Sequence, residues 1–142
     1  MIVRGTTPYH SFIIPALVSE IQELHITYLQ NKEVVFTKTL TDEGIEFENL
    51  ADLLENAHME DLDEETLSSS QLTVHLTQED TLKFKFWPAA EKNIAVIQLR
   101  ILTTDGEAYA SFPVKERIFG VLEDGVIGEV EGEEDESEGQ GN

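Results

Sequence analysis

NIAVIQLRIL, residues 93 to 102, is the stretch of sequence that decides the fold class. Its apolar residues recur at every second position, and this period of two is typical of a β-strand. Val96 adds apolar character to the opposite face, which favours a central place in a sheet. Asp105-Gly106 follows this run, and an alternating segment at residues 107–119 comes next. Asp-Gly between two such runs predicts a β-hairpin.

The same alternation predicts about six or seven strands, the number expected of a small antiparallel β-sandwich. Asn31-Lys32 separates two of them, and Asn tolerates the left-handed backbone of a tight two-residue turn. Pro113 indicates a bulge or an edge in the last strand. The predicted strands span residues 7–13, 23–30, 33–39, 71–76, 93–102 and 107–119.

The alternation also predicts which side chains share a face of the sheet. Leu24, Ile26 and Tyr28 fall on one face of the strand before the Asn31-Lys32 turn. Val34 and Phe36 fall on one face of the strand after it. We expect these five residues to contribute to the core.

The net charge of −20 is concentrated in two segments. Residues 42–65 hold eleven Asp and Glu and residues 129–142 hold seven, and neither segment contains Lys or Arg. The rest of the chain has 11 acidic against nine basic residues, so its formal charge is only −2. Acidic segments of this kind favour solvated appendages. They argue against binding to free nucleic acid or to an anionic membrane.

The first acidic segment contains the one predicted helix, at about residues 49–58. Asn49 suits the N-cap position, and the apolar residues after it form one stripe at helical spacing. This stripe consists of Leu50, Leu53, Leu54 and Ala57. The helix belongs to an acidic insertion at about residues 42–70, which ends in a polar connector at residues 61–70.

Length and composition predict one soluble domain made in the cytoplasm. A chain of 142 residues suits a single β-sandwich domain, residues 1–128, followed by an acidic tail at residues 129–142. The tail is low in complexity and is predicted to be disordered. Because the chain has no cysteine, it offers neither a disulfide nor a thiolate metal site. No signal peptide or membrane span is predicted.

LTQEDTLKF, residues 76–84, sets Glu79 and Asp80 side by side. Thr77 lies three residues before Asp80, and this spacing suits a variant of the capping box at the start of a short helical turn. A catalytic carboxylate pair would face across a cleft in two different environments, which adjacent residues rarely do. We therefore interpret the acidic pair as structural.

The four histidines show no metal-ligand spacing, and they are His10, His25, His58 and His75. His25 and His75 fall on the polar phase of their strands. A site that joins them to a carboxylate is the alternative, but solvated or hydrogen-bonded histidines are more common. No nucleophile elbow, phosphate-binding loop or dinucleotide fingerprint is present. We expect no catalytic, cofactor-binding or metal-binding residue.

LKFKFW, residues 82–87, interleaves lysines with aromatic residues, as in surfaces that stack on single-stranded nucleic acid. The surrounding charge is negative, and Phe84 and Phe86 alternate with Lys83 and Lys85 as a strand requires. We interpret this segment as a strand. The acidic tail lacks the ordered oxygen ligands and the fixed glycine of a calcium loop.

Five blocks of the sequence resemble small proteins encoded among the tail and baseplate genes of phages and prophages of Gram-positive bacteria. A looser resemblance links the chain to the N-terminal immunoglobulin-like domain of phage baseplate upper proteins. The blocks cover most of the chain outside the acidic segments. They are RGTTP (residues 4–8), ITYLQNKEVV (26–35), LTVHLTQEDTLKF (72–84), VIQLRILTTDGEAYAS (96–111) and LEDGVI (122–127).

The resemblance implies a mainly β, immunoglobulin-like antiparallel sandwich of about seven strands, to which the short helix of the acidic insertion is an addition. It places residues 77–84 at the turn between the fifth and sixth strands. It supplies no catalytic residues. The acidic insertion and the acidic tail depart from the pattern of the group.

Two classes of function follow from these observations. The first is a non-enzymatic structural or adaptor protein of the virion, whose partners are other phage structural proteins or further copies of itself. The alternative is an acidic inhibitor that imitates DNA, which requires rigid rows of carboxylates on a folded surface. An enzyme is the third and weakest candidate.

Overall fold

The computed structural model describes residues 1–54, 62–111, 113–121 and 125–128. Nine strands lie within these residues, together with three short α-helices. The strands are β1 (Ile2–Val3), β2 (Tyr9–Ile14), β3 (Ile21–Gln30), β4 (Glu33–Thr39), β5 (Ile45–Asn49), β6 (Ser70–His75), β7 (Ile94–Thr103), β8 (Ala108–Ala110) and β9 (Val114–Phe119). The helices are α1 (Leu50–Leu53), α2 (Glu64–Leu67) and α3 (Gln78–Leu82).

The strands form two sheets in a mainly β, sandwich-like arrangement. The larger sheet has the order β1-β9-β7-β3-β4, and β8 also pairs with β7. The smaller sheet has the order β2-β6-β5. All pairs are antiparallel except β1 with β9, which is parallel.

β7 occupies the centre of the larger sheet, as its sequence predicts. Its alternate residues Ala95, Ile97, Leu99 and Ile101 are all buried. β7 turns into β8 through Thr103 to Glu107, and Gly106 has a φ of +90° there. Only glycine adopts this backbone readily, so the predicted Asp-Gly hairpin is confirmed.

The return strand after this hairpin is split into β8 and β9, and Pro113 directly precedes β9. Ser111, at the break, donates its backbone N–H to the Leu99 carbonyl and accepts the Leu99 N–H on its side-chain Oγ. The serine hydroxyl therefore replaces a ladder hydrogen bond where the strand is interrupted. The two halves of the return strand pair with the two ends of β7.

The turn between β3 and β4 is tight and left-handed. Asn31 and Lys32 have φ values of +53° and +70°, as a type I′ hairpin turn requires. Close to this turn the register of the β3–β4 pair shifts: Tyr28 pairs with Phe36, whereas Leu29 pairs with Val34. As a result, Val34 does not face the core as predicted, and it is 60% exposed. Phe36 still packs against the core.

The core lies between the two sheets and draws on both. Leu24, Ile26 and Tyr28 on β3 are at most 1% exposed, as predicted. Leu72 and Val74 on β6 are fully buried opposite them. Each such side chain contributes roughly 1.5–3 kcal/mol of transfer free energy, so this layer is the main stabilising term.

The acidic insertion differs from its prediction in three ways. β5 lies within it, because Ile45 and Phe47 alternate with glutamates and pack on the core. Asn49 precedes α1, but its side chain accepts the Val18 N–H at 2.8 Å and caps no helical amide. The segment predicted as a polar connector contains α2, which Asp63 caps by accepting the Thr66 N–H.

Two further predictions fall partly or wholly outside the described residues. The predicted helix at 49–58 is described only as far as Leu54, and the rest of its stripe lies in residues 55–61. The predicted disordered tail, residues 129–142, lies outside them altogether. In the part of the chain that is described, no helix has the length and apolar character needed to cross a membrane.

Candidate functional site

The acidic pair at Glu79 and Asp80 begins helix α3 and forms no catalytic dyad. Thr77 Oγ1 accepts the Asp80 N–H at 3.0 Å, and an Asp80 carboxylate oxygen accepts the Thr77 N–H at 3.0 Å. This reciprocal pair is the predicted capping box. Glu79 is exposed, whereas Asp80 is buried. The two carboxylates therefore occupy different surroundings and do not face one another.

Asp80 has a second role, as the partner of Lys38 on β4. Their side chains are 8% and 16% exposed, and Lys38 Nζ lies 2.9 Å from the carboxylate. Burial raises the pKa of Asp80, but the hydrogen bonds from Lys38 and Thr77 and the lysine charge outweigh it, so that pKa lies below its usual range. The ion pair therefore joins helix α3 to the edge strand β4.

A second polar pair lies inside the sandwich, between His10 on β2 and Tyr28 on β3. His10 Nδ1 lies 2.8 Å from the Tyr28 hydroxyl oxygen, while His10 Nε2 is buried without a partner in the described structure. Burial lowers the pKa of His10, and the positive N-terminal amine lowers it further. Burial also raises the pKa of Tyr28, with a further contribution from Asp80. Both side chains are therefore uncharged near neutral pH.

Helix α3 also holds the N-terminal segment. Arg4 donates from Nε to the Phe84 carbonyl at 2.7 Å and from Nη2 to the Leu82 carbonyl at 3.1 Å. The Thr81 hydroxyl accepts the Gly5 N–H at 2.9 Å. These contacts close the end of the helix, because the arginine satisfies carbonyls that have no helical partner.

Residues near position 127 are tied to the start of the same helix. The Gln78 side chain donates to the Ile127 carbonyl at 2.9 Å and accepts the Ile127 N–H at 2.7 Å. The amide therefore pairs with this backbone as a strand would. The segments 4–8, 72–84 and 122–127, which carry the family resemblance, all have residues at helix α3.

The histidines do not assemble into one site. His25 lies on the outer face of the larger sheet, 3.5 Å from a Glu23 carboxylate oxygen. His75 lies on the outer face of the smaller sheet, where its ring stacks on Tyr9 at 4.0 Å between centroids. The outer faces of two packed sheets point in opposite directions, so His25 and His75 cannot share a ligand. His58 lies outside the described residues.

The strand predicted at residues 82–87 is wrong, because Leu82 ends helix α3 and residues 83–87 are irregular backbone. Phe84 is fully buried and Phe86 is 51% exposed, so the two rings have different surroundings. Lys83, Lys85 and Trp87 line a cleft of about 380 Å³ against the β3–β4 turn. Lys83 and Lys85 are therefore exposed while Phe84 is buried, although the backbone between them is not a strand.

Two buried amide side chains fix this segment. Gln30 donates to the Lys85 and Lys92 carbonyls and accepts the Lys85 N–H. Asn93 accepts the Trp87 N–H and donates to the Trp87 carbonyl, each at 2.8 Å. Because both amides are 5% exposed, these bonds are made away from water and hold the loop in one conformation.

Strand β2 forms an open edge of the smaller sheet. β6 is its partner on one side, and no described strand pairs with the other. Its sequence YHSFII contains no Asp, Glu, Lys or Arg. Tyr9 and Ile13 are 64% and 60% exposed. Alternate backbone N–H and C=O groups along this edge point away from β6, which is the arrangement that accepts a further strand.

The described residues were searched for side chains that could hold a metal ion. Among the described residues, no group of three or more His, Asp or Glu is placed to hold a metal ion. Comparisons with protein-family models, with curated proteins and with solved structures find no match to the chain. The arguments for function therefore come from the residues themselves.

Several of these contacts were not predicted from the sequence. His10 was recognised only as a histidine without ligand spacing, although the alternation of YHSFII places it on the inward face with Phe12 and Ile14. Gln30 and Asn93 carry no local signal, because their partners are backbone groups of a loop whose path depends on the fold. The capping box was found because it is encoded within four consecutive residues.

Proposed function

We propose that the chain is a non-enzymatic structural or adaptor protein of a phage or prophage tail or baseplate, present in the virion and acting through protein–protein contacts. The observation that carries this proposal is the open, uncharged edge of β2 with its exposed Tyr9 and Ile13. The family resemblance in five sequence blocks supplies the biological setting. An uncharged edge strand is uncommon in proteins that avoid association, since they protect such edges with charges, proline or bulges.

The strand order supports an immunoglobulin-like version of the sandwich. If β2 is taken as strand B, then β6 and β5 correspond to strands E and D of one sheet. β3, β7 and β9 then correspond to C, F and G of the other, with β4 as the additional strand C′. In such a sandwich strand A lies beside B, and no described strand occupies that position next to β2.

A partner strand added beside β2 fits this vacant position. Main-chain hydrogen bonds would supply affinity, and the exposed Tyr9 and Ile13 would supply apolar contact. The absence of charge on β2 matters because the chain has a net charge of −20. Approach at β2 avoids like-charge repulsion at the contact itself.

Contact with protein is preferred over imitation of DNA because of where the carboxylates lie. A DNA mimic needs rows of negative charge at the spacing of phosphates. Of the residues in strands β2, β5 and β6, only Glu46 and Glu48 place carboxylates on the outer face of the smaller sheet. Two carboxylates on one strand are too few to follow a duplex.

The test is incorporation into particles. Tail particles are purified from cells that carry the gene with either the native codon or Ile13→Lys, and the chain is quantified by mass spectrometry. We expect the native chain in the particles and at least a tenfold loss for Ile13→Lys, since an added charge on the edge opposes strand pairing. Val114→Lys, in the other sheet at 40% exposure, is the matched control and should be incorporated normally.

Absence of the native chain from every particle preparation would remove the proposed setting. Equal incorporation of both lysine variants would instead show that β2 is not the contact. The folded state of each purified variant is checked by its urea unfolding midpoint, so that a loss of incorporation is not mistaken for a loss of fold.

A further inference from the structure

The open edge of β2 presents a defined set of unpaired backbone groups. The Leu76 N–H donates to the Pro8 carbonyl at 3.0 Å, just before the first residue of β2. Bonded and non-bonded pairs alternate along an antiparallel ladder, so this contact sets the phase of the β2–β6 pair. Alternate residues from His10 to Ile14 therefore bond to β6. The residues whose N–H and C=O groups face the open side are Tyr9, Ser11 and Ile13.

The side chains of the same three residues lie on the outer face of the smaller sheet. Tyr9 and Ile13 are 64% and 60% exposed, and Ser11 between them is also exposed. The Tyr9 ring stacks on His75, with 4.0 Å between the ring centroids and 8° between the planes. This contact orients the ring before a partner arrives, which lowers the entropic cost of pairing.

These three residues are complementary to a second copy of themselves. When two β2 strands pair antiparallel about a two-fold axis at Ser11, Tyr9 lies opposite Ile13 of the second copy. All three positions then form hydrogen-bonded pairs, and each pair exchanges two N–H···O bonds, so the strands share about six. Tyr9 opposite Ile13 is an aromatic–β-branched pair, which is a favourable cross-strand combination, and the symmetry supplies it twice.

The distribution of charge allows an equally acidic chain to approach this edge. β2 and its neighbour β6 contain no Asp, Glu, Lys or Arg. In the paired sheet the two copies of β5, with their glutamates, are five strand spacings apart, which is roughly 24 Å. This distance exceeds the Debye length of about 8 Å at physiological ionic strength, so the repulsion between them is largely screened.

The edge strand β5 on the other side of the same sheet does not have this property. A two-fold pairing of β5 about Phe47 would place Glu46 opposite Glu48 of the second copy. Like charges directly opposite one another destabilise a strand pair. The edge strand β4 of the larger sheet carries Glu33 and Lys38, and charges of this kind protect edges from pairing.

We propose that two copies of the chain pair through β2 and join their three-stranded sheets into one continuous sheet. This inference rests on the proposed use of β2 as a contact edge, and it identifies the partner as a second copy. Because β2 has only six residues, the contact belongs to the small interfaces, below about 1,200 Å², that associate transiently. The dimer therefore depends on protein concentration.

A single cysteine tests the register, because the native chain has none. In the proposed pair the two Ser11 Cα atoms lie about 5.5 Å apart, a distance that a disulfide spans. Thr73, which pairs with Ser11 on β6, is the matched control, since three strand spacings separate its two copies by roughly 14 Å. Under mild oxidation of the full chain, we expect at least ten times more disulfide-linked dimer from Ser11→Cys than from Thr73→Cys. Equal yields would overturn the proposal.

Sedimentation velocity of the purified full chain measures the pairing without a cross-link. The native chain should show a monomer–dimer equilibrium, and Ile13→Lys should weaken association at least tenfold. Val114→Lys, on β9, should associate as the native chain does. Urea unfolding midpoints verify that each variant is folded. A native chain that stays monomeric at every concentration, or equal weakening by both lysine variants, would overturn the proposal.

These outcomes are distinct from a failure of the proposed function. If the native chain is monomeric but its incorporation into particles still depends on Ile13, the strand beside β2 belongs to another protein. That result overturns the second copy and leaves the proposed function. A chain that forms the β2 dimer but is absent from every particle preparation removes the proposed function and leaves the pairing.

Discussion

At the scale of single residues, two polar pairs connect elements of this sandwich in addition to its apolar packing. His10 and Tyr28 join β2 to β3 across the core, and Lys38 and Asp80 join β4 to helix α3. The first pair joins two consecutive strands, and the second joins a strand to a helix later in the chain. Removing one partner of either pair leaves the other polar group buried without a hydrogen bond. This loss lowers the free energy of unfolding by a measurable amount.

The His10 pair makes stability dependent on pH. The pKa of His10 in the folded state is lower than the 6.5 of the free side chain. Between these two pKa values the unfolded state therefore binds more protons than the folded state. Stability therefore falls as pH falls below about 6.5 and stops falling below the folded pKa. We expect the free energy of unfolding, from urea titrations at pH 7, 6 and 5, to decrease across this window.

His10→Gln is the control for this dependence, since glutamine does not titrate. Its free energy of unfolding should change less between pH 7 and 5 than that of the native protein. Identical slopes in the two proteins would show that other groups cause the effect.

The Lys38–Asp80 pair predicts a large effect of a single substitution. Lys38→Met leaves a buried carboxylate without its cation, which costs about 3 kcal/mol of unfolding free energy. Urea unfolding at pH 7 measures the loss. Adding Asp80→Asn should recover part of it, because a neutral amide needs no counter-charge. A loss below about 1 kcal/mol for Lys38→Met would place the pair in the class of exposed ion pairs.

At this scale the sequence predicted what is local and missed what is distant. The capping box of Thr77 and Asp80 could be predicted because both partners lie within one turn. The partner of Asp80 could not, since Lys38 reaches it only after β4 has paired with β3. Sequence periodicity shows that a side chain points inward, and it does not identify what lies opposite.

At the scale of elements, the β3–β4 turn carries a residue under backbone strain. Lys32 has a φ of +70°, where an L-residue with a side chain is disfavoured by roughly 1–2 kcal/mol. Lys32→Gly relieves this strain, and part of the gain is offset by the greater entropy of unfolded glycine. We expect a net stabilisation of about 1 kcal/mol, measured by urea unfolding.

The matched control is Lys115→Gly in β9, where the backbone is extended. Glycine within a strand destabilises by roughly 0.5–1 kcal/mol, so the two substitutions should have opposite signs. The same sign for both would contradict the strained turn.

The prediction of elements from the sequence missed strand β5, because the many acidic residues of its segment concealed the period of two. Strand β5 alternates Ile45 and Phe47 with glutamates, and the high acidity of the segment favoured a helical insertion instead. The prediction that Val34 faces the core failed for another reason. The register shift after Tyr28 changes which residues of β4 face the core. Alternation within one strand does not reveal such a shift in pairing.

At the scale of the whole molecule, the sequence predicted a mainly β, sandwich-like body with charge set apart from its core. The buried residues of β3, β6 and β7 agree with that prediction. The alternation of apolar residues did not predict the strand order, because that order depends on which edges meet after collapse. The open edge of β2 is a product of that order.

The parallel pairing of β1 with β9 has a mechanical consequence. Ile2 and Val3 lie beside Ile118 and Phe119, and the Arg4 N–H bonds to the Phe119 carbonyl at 2.9 Å. A force that pulls Met1 and residue 120 in opposite directions acts along these parallel strands. It loads their hydrogen bonds simultaneously, in shear. A hairpin pulled from its open end would peel apart one bond at a time. The two strands therefore share the load between residues 1 and 120.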